Sequence, residues 1–247
     1  MAKLGLIDWG IGGIGVYREI KRISPQAAIF YFSDTGALPY GKMHRRDLAR
    51  RLDTVIEHLA NSGVTDVVIA CNAASTAIDD LRPSAIRVSG VIEPAIKMAL
   101  AAQPQRLGLI GGRRTILSGA YRKAFQQKGV HFRQRIAQPL SAMIEAGDLR
   151  SAAFRSSCEK ILRPLYDSSH ILLACTHYPA AADMISACVS PDTVLLDPAG
   201  EVAASTAQLD LDRGSDIFQT TGDAEAMKRS AIAAFSVEIK RAESVVL

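Results

Sequence analysis

Aromatic residues are scarce in this 247-residue chain, 6% of the total with one tryptophan, and no apolar run approaches the roughly 18 residues a membrane-spanning helix requires. With a hydrophobic content of 48%, this excludes helical membrane spans, disorder and collagen-like repeats. A strong excess of one charge is also missing: 29 Lys and Arg against 25 Asp and Glu leave a net charge of +4. The basic pairs Arg45-Arg46 and Arg50-Arg51 sit among acids on a predicted helix, so no nucleic-acid partner is called for. Four cysteines, at 71, 158, 175 and 188, show neither CxxC nor zinc spacing, and five histidines, at 44, 58, 131, 170 and 177, show no ligand spacing. Neither a disulfide framework nor a metal site is expected. Met1-Ala2-Lys3 passes straight into a strand-like run without a secretory apolar region, which makes a cytoplasmic chain with free thiols the expectation.

What is present is a series of short, nearly continuous aliphatic runs, at 4–7, 28–32, 66–70, 88–91, 107–110, 171–174 and 193–196. They read as buried strands of parallel sheets. Helical patterns lie between them, at 15–23, 45–61, 118–128 and 152–166, with turn signals at Ser24-Pro25, Gly63 and Gly129. The alternation is that of a doubly wound α/β fold. Within it, Gly5-Leu6-Ile7 recurs as Gly108-Leu109-Ile110, and Ala70-Cys71 recurs as Ala174-Cys175 at nearly the same offset. The shared offset predicts two similar doubly wound lobes around mostly parallel sheets, residues 1–95 with 209–247 forming the first and 96–208 the second. A last helix near 225–240 would pack back on the first lobe. The site is expected in the cleft between lobes, beyond the carboxyl ends of the strands.

Gly10-Ile11-Gly12-Gly13-Ile14-Gly15 satisfies GxGxxG between a strand and a helix, with Asp34 ending the next strand, as in a nicotinamide dinucleotide site. Asp8 and Trp9 count against that reading, because they put a carboxylate and a large ring where a pyrophosphate needs bare backbone. A glycine turn that swings the strand into the helix explains the same residues.

Cys71 and Cys175 each end a strand and lead into a predicted helix, whose amino terminus favours thiolate over thiol. Taken singly, each also reads as a buried structural thiol. In equivalent positions of two echoing lobes they would face one another across the cleft. Cys158 and Cys188 lie in helical patterns and are assigned to packing. Two facing thiols suit inversion at a carbon that carries a proton, one removing it from one face while the other delivers a proton to the opposite face. Asp8 and His177, one per lobe, are natural auxiliaries that tune or relay those protons, with a capping carboxylate and a core histidine as the alternatives. A redox pair is the competing use of two close thiols, but there is no CxxC to support it.

Five motifs occur in order: Ile7-Asp8-Trp9-Gly10-Ile11-Gly12-Gly13; Asp34-Thr35 with Leu38-Pro39-Tyr40-Gly41; Ala70-Cys71-Asn72-Ala73-Ala74-Ser75; Gly90-Val91-Ile92-Glu93-Pro94; and Ala174-Cys175-Thr176-His177-Tyr178-Pro179. Ser118-Gly119-Ala120-Tyr121, Glu145-Ala146-Gly147 and Thr221-Gly222-Asp223 extend the pattern over nearly the whole chain. The chain resembles the glutamate racemase branch of the aspartate/glutamate racemase family. That resemblance implies two α/β lobes with the active site between them, and a cofactor-independent isomerase that racemises an amino acid. It also implies a homodimer and a role in supplying D-glutamate for peptidoglycan synthesis. By the same resemblance, Cys71 and Cys175 are the acid/base pair, Asp8 and His177 the auxiliary groups, and Asp34 and Glu145 further acidic positions. Tyr40, Gly41, Asn72 and Thr176 match positions that hold the substrate's carboxylate and ammonium, with Trp9, Pro39, Ala73 and Thr115 beside them. The nicotinamide reading is then not needed.

The departures fall among these contacts. The family's Asp-Ser-Gly is Asp8-Trp9-Gly10 here, its Cys-Asn-Thr is Cys71-Asn72-Ala73, and its Gly-Thr-x-x-Thr is Gly111-Gly112-Arg113-Arg114-Thr115. Three small hydroxyls are missing, each worth a hydrogen bond of about 0.5–1.5 kcal/mol. The Trp9 ring either enters the pocket or points away, and Arg113 and Arg114 either clamp an extra carboxylate or lie solvated. The expected small-molecule substrate is glutamate or, with drifted specificity, another small acid such as aspartate, a hydantoin or a malonate that is decarboxylated. A non-catalytic small-acid binding protein is the reading from another class. Retention of Asp8, Cys71, Cys175 and His177 argues against it.

Overall fold

The computed structural model describes residues 2–247, whose strands form two sheets. In the first, β1 (Leu4–Asp8), β2 (Ile29–Ser33), β3 (Asp66–Ile69) and β4 (Arg87–Gly90) stand in the order β2-β1-β3-β4. In the second, β5 (Leu107–Gly111), β6 (Phe132–Ile136), β7 (His170–Ala174) and β8 (Val194–Leu196) stand in the order β6-β5-β7-β8. Counted from its own first strand, each sheet has the same order, and every pairing is parallel. The chain then returns to the first sheet, where β9 (Ile217–Thr220) joins β2 and β10 (Glu243–Ser244) joins β9. This repetition explains the sequence echo. The Gly-Leu-Ile triplets lie in the central strands β1 and β5, and Cys71 and Cys175 follow β3 and β7. Strand order reverses beside β1 and beside β5, so each sheet opens a crevice there at its carboxyl end.

Helices α1 (Ile14–Ile23), α2 (Arg45–Asn61), α3 (Asn72–Ser75) and α4 (Ile92–Ala101) follow the first four strands. Around the second sheet come α5 (Arg113–Ser118), α6 (Ala120–Gln127), α7 (Gln138–Glu145), α8 (Ala152–Leu162), α9 (Ala182–Ser186) and α10 (Ala199–Thr206), and α11 (Ala224–Phe235) follows β9. Because β1 is covered on both faces, Leu6 packs with Ile14, Val16 and Ile20 of α1 and Met227, Ala231 and Phe235 of α11. Its neighbour Ile7 packs with Leu48, Leu52 and Val55 of α2. Fully burying each such side chain contributes about 1.5–3 kcal/mol. The last helix does pack on the first sheet, but it ends at Phe235, where Ser236 takes a φ of 55°. No helix among the described residues is long and apolar enough to cross a membrane.

Four local expectations are corrected. The strand near 88–91 is not buried: β4 is an edge with Arg87 and Ser89 exposed. The helix expected over 118–128 is interrupted, because Gly119 at φ 75° separates α5 from α6. The helix expected over 152–166 stops at Leu162, where Pro164 turns the chain into a short 3-10 segment. Cys188 lies in the turn after α9, not in a helix, although it does pack on the cluster that buries Cys158. Burial pushes the Cys158 thiol up to about 12, which suits an inert packing residue.

Asp34 sits fully buried just past β2. Arg51 of α2 binds it through Nε at 2.9 Å and Nη2 at 2.6 Å, while the Tyr40 and Thr221 hydroxyls each donate to it at 2.8 Å. The carboxylate thereby ties α2, the Tyr40 turn and the end of β9 to β2. Arg51→Ala strands a buried charge and is expected to cost about 3 kcal/mol, the low end for such a break because the Arg51 side chain is 20% exposed. A fall in the denaturant midpoint at unchanged slope would show it.

Candidate active site

Between the carboxyl ends of the two sheets lies a pocket of about 330 Å³. Each wall follows from where a strand stops. Asp8 and Trp9 close β1, and Pro39, Tyr40 and Gly41 lie in the turn after β2. Cys71, Asn72 and Ala73 lead from β3 into α3, and Thr115 lies on α5 after β5. Cys175 and His177 follow β7, and Glu145 ends α7. All twelve of these residues, singled out from the sequence, line this one cavity.

On the first sheet's side, Asp8 is fully buried and accepts from the Thr176 hydroxyl at 2.9 Å and the Gly10 amide at 3.4 Å. Burial pushes its carboxyl above the usual carboxylate range; His177 and the Thr176 bond oppose that, and Glu145 adds to it. Cys71 caps α3, its carbonyl accepting from the Ser75 amide at 2.8 Å. Its thiol is nevertheless held well above the ordinary range, by burial first and the Asp8 carboxylate second, against the amides of Ala74 and Ala73. The preference for thiolate expected from the helix end is therefore overruled. Cys71 rests as a thiol. Asn72 is fixed beside it by the Tyr121 hydroxyl, which donates to Oδ1 at 2.6 Å.

The second side is built differently. No α-helix begins at Cys175: the chain makes a turn closed by the Tyr178 amide on the Cys175 carbonyl at 3.1 Å, then a short 3-10 segment, Tyr178–Ala181. Cys175 therefore lacks the helix-end donors expected from the sequence and faces an imidazole instead. His177 Nδ1 lies 3.8 Å from its sulfur, and His177 Nε2 lies 2.5 Å from Glu145 Oε2, which also accepts from the Ile11 amide at 3.2 Å. Burial works to lower the His177 pKa, but the bonds to Cys175 and Glu145 outweigh it and carry the pKa well above the ordinary histidine value. A charged imidazolium thus lies between a carboxylate and the Cys175 sulfur.

The glycine loop has a use other than nucleotide binding. A Cβ on Gly12 would stand 2.5 Å from Thr176 Oγ1 and 2.7 Å from His177 Nδ1, and one on Gly10 would strike the Glu145 carboxylate. The backbone after β1 is bare so that the second sheet's side chains can approach it. The bare backbone of the loop is thus accounted for by protein side chains, without a nucleotide.

Other predicted residues fall outside the pocket wall. Thr176 holds Asp8, and Asp34 is the buried tie described above. Arg113 is exposed, only its amide being held, by Gln138 Oε1 at 3.0 Å. Arg114 spends its guanidinium on the Thr76 hydroxyl and the Met43 carbonyl, each at 2.9 Å. Neither arginine lines the pocket. The Trp9 ring does form part of the wall, anchored by its Nε1 donating to the Ala37 carbonyl at 3.0 Å. Sequence reasoning missed Lys42 beside Gly41, and Gln138, Ser141, Ala142 and Ala146 on the wall. The last four were within reach: with Glu145 they repeat at three- and four-residue spacing, one face of α7 and its C-cap residue Ala146.

A family model described as Asp/Glu/Hydantoin racemase matches residues 4–206. Glutamate racemase of Exiguobacterium sibiricum is 30% identical over 93% of this chain and 90% of its own length, and that of Pseudomonas putida is 32% identical over 92% of each. Among solved structures, glutamate racemase from Thermus thermophilus, in complex with beta-chloro-D-alanine, is 29% identical and superposes with a TM-score of 0.85 over 100% of this chain and 97% of that one. Matched in sequence and fold over almost its whole length, the chain belongs to the Asp/Glu/hydantoin racemase family.

Proposed function

We propose that the protein racemises glutamate without a cofactor, Cys71 and Cys175 exchanging the α-proton on opposite faces of the substrate, and so supplies D-glutamate for peptidoglycan synthesis. One observation carries the reading. Thiols from equivalent places in two repeated sheets open into one pocket, with Asp8 acting on one and His177 in contact with the other.

The chemistry follows from the two environments. For the enantiomer whose α-proton points at Cys175, that sulfur takes the proton while the Cys71 thiol delivers its own to the opposite face. The product state holds Cys175 as thiol and Cys71 as thiolate, which is the starting state for the reverse direction, so protons and charge balance. Glu145 holds the His177 ring with its Nδ1 facing the Cys175 sulfur, where an imidazolium can balance negative charge as the proton moves. Two retained cysteines favour racemisation over a decarboxylation served by one.

Glutamate is supported by the full-length similarity to glutamate racemases and by the D-amino-acid analogue bound in the Thermus thermophilus relative. Purified protein should bring L-glutamate alone and D-glutamate alone to zero circular dichroism with equal kcat/KM, because the equilibrium constant is one. A constant signal from both enantiomers would contradict the assignment. Trp9, Ala73 and Gly112 line the site without the hydroxyls family members carry there. Ala73→Thr is therefore expected to lower KM for glutamate two- to about tenfold, the worth of one added hydrogen bond, with kcat little changed; an unchanged or raised KM would count against a direct substrate contact at that position. The enzyme is further read as cytoplasmic and as a homodimer, the latter tested by sedimentation velocity.

A further inference from the structure

Tyr178 is fully buried, yet its hydroxyl forms no hydrogen bond with any described residue. Leaving such a group unpaired is costly, and folded proteins keep few of them. The ring packs among Ile110, Phe154, Cys158 and Leu173, and Cys175 packs on the same cluster. The local backbone explains the placement. The turn closed by the Tyr178 amide on the Cys175 carbonyl sends successive side chains apart, so that His177 reaches the pocket wall while Tyr178 enters the core. Burial first, then the charge and the side-chain approach of the neighbouring Cys175 sulfur, and last the Cys158 charge, hold the phenolic proton, although the hydroxyl does not reach hydrogen-bond geometry with either sulfur.

We infer that the Tyr178 hydroxyl is a second donor to the Cys175 thiolate, a positioning residue whose hydrogen bond closes when Cys175 gives up its proton. The inference rests on the reading of Cys175 as an acid/base group. A thiol is a weak acceptor and a thiolate a strong one, so a hydroxyl kept nearby with no other partner is spent only on the charged state. Bonds of this kind are often open in a resting site and tighten on the reaction path. A purely structural Tyr178 makes a different forecast: removing an unpaired buried hydroxyl would be neutral or stabilising, with no effect on the thiol.

The test is the pH dependence of iodoacetamide alkylation at Cys175, read by peptide mass spectrometry in the parent and in Tyr178→Phe, with Cys71 as internal control. The expected result is a Cys175 midpoint moved to higher pH, with alkylation at pH 7 slowed about tenfold, and an unmoved Cys71 profile. The melting temperature should be unchanged or raised. Racemisation should lose about tenfold in kcat/KM equally in both directions, while kcat and KM separately change unequally. Superimposable Cys175 profiles would overturn the inference. Tyr178→Met repeats the comparison without the aromatic ring, should the first variant fold poorly. Alkylation needs no turnover, so failure of this inference is separable from failure of the catalytic reading, which full activity in Cys175→Ser would show.

Discussion

Cys71→Ser and Cys175→Ser are each expected to lower glutamate racemisation by at least about 10³-fold while leaving the fold intact. The substitution is nearly isosteric at two half-buried positions, so secondary structure and melting should hardly move. The chemistry should fail, because a serine hydroxyl is neither acidic enough to deliver the proton nor able to carry the charge left when it does. The two groups act as one unit, one emptying as the other fills. The double variant should therefore be little worse than either single one. Optical assays on the three variants check this, and a single variant keeping a tenth of parent activity would contradict it.

Glu145→Gln carries the second large effect. The carboxylate at Nε2 is one of the two partners that hold the His177 pKa well above its ordinary value against the opposing pull of burial. Without that charge, burial gains and the imidazolium is lost at lower pH. The direction of the pH effect follows from linkage. A histidine whose folded pKa is raised contributes stability that is fully present below its unfolded value, about 6.5, and is lost as pH rises through the folded value. The parent should therefore keep both this stability and its activity into the alkaline range, and the variant should lose both nearer neutrality. The alkaline limb of kcat/KM is expected to move to lower pH, with about a 10²-fold loss at pH 8. A profile that drops at all pH values without moving would show that Glu145 acts elsewhere.

Much of this arrangement was legible in the chain, and the illegible parts have physical causes. β1, β2, β3, β5 and β7 are buried on both faces or nearly so, which makes them the continuous aliphatic runs that stand out in the sequence. β6 went unseen because it is an edge: Arg133 and Arg135 point to solvent, and only alternate residues are covered. β9 has four residues and β10 only two, the latter both polar, and they pair with a sheet whose other strands lie far back in the chain. The cysteines were found through the repeat, since either alone resembles a core thiol. Their electrostatics were not legible: the helix end at Cys71 is outweighed by burial and Asp8, and at Cys175 a turn replaces the helix altogether. The glycine loop misled because close approach to a phosphate and close approach to Thr176 and His177 make the same demand for a missing Cβ. Arg114 reads as a free cation in the sequence because its partners, Thr76 and Met43, come from distant segments.

The central claim is that two thiols work on opposite faces of one carbon. The most direct measurement is proton NMR in deuterium oxide, starting from L-glutamate and repeated with each cysteine variant. The account predicts that the first D-glutamate formed carries deuterium at the α-carbon while unreacted L-glutamate keeps its proton, and that no D-glutamate forms when either cysteine is replaced. Deuterium entering recovered L-glutamate as fast as it enters the product, or deuterated D-glutamate that still forms in Cys71→Ser or Cys175→Ser, would mean that one base serves both faces, and would contradict it.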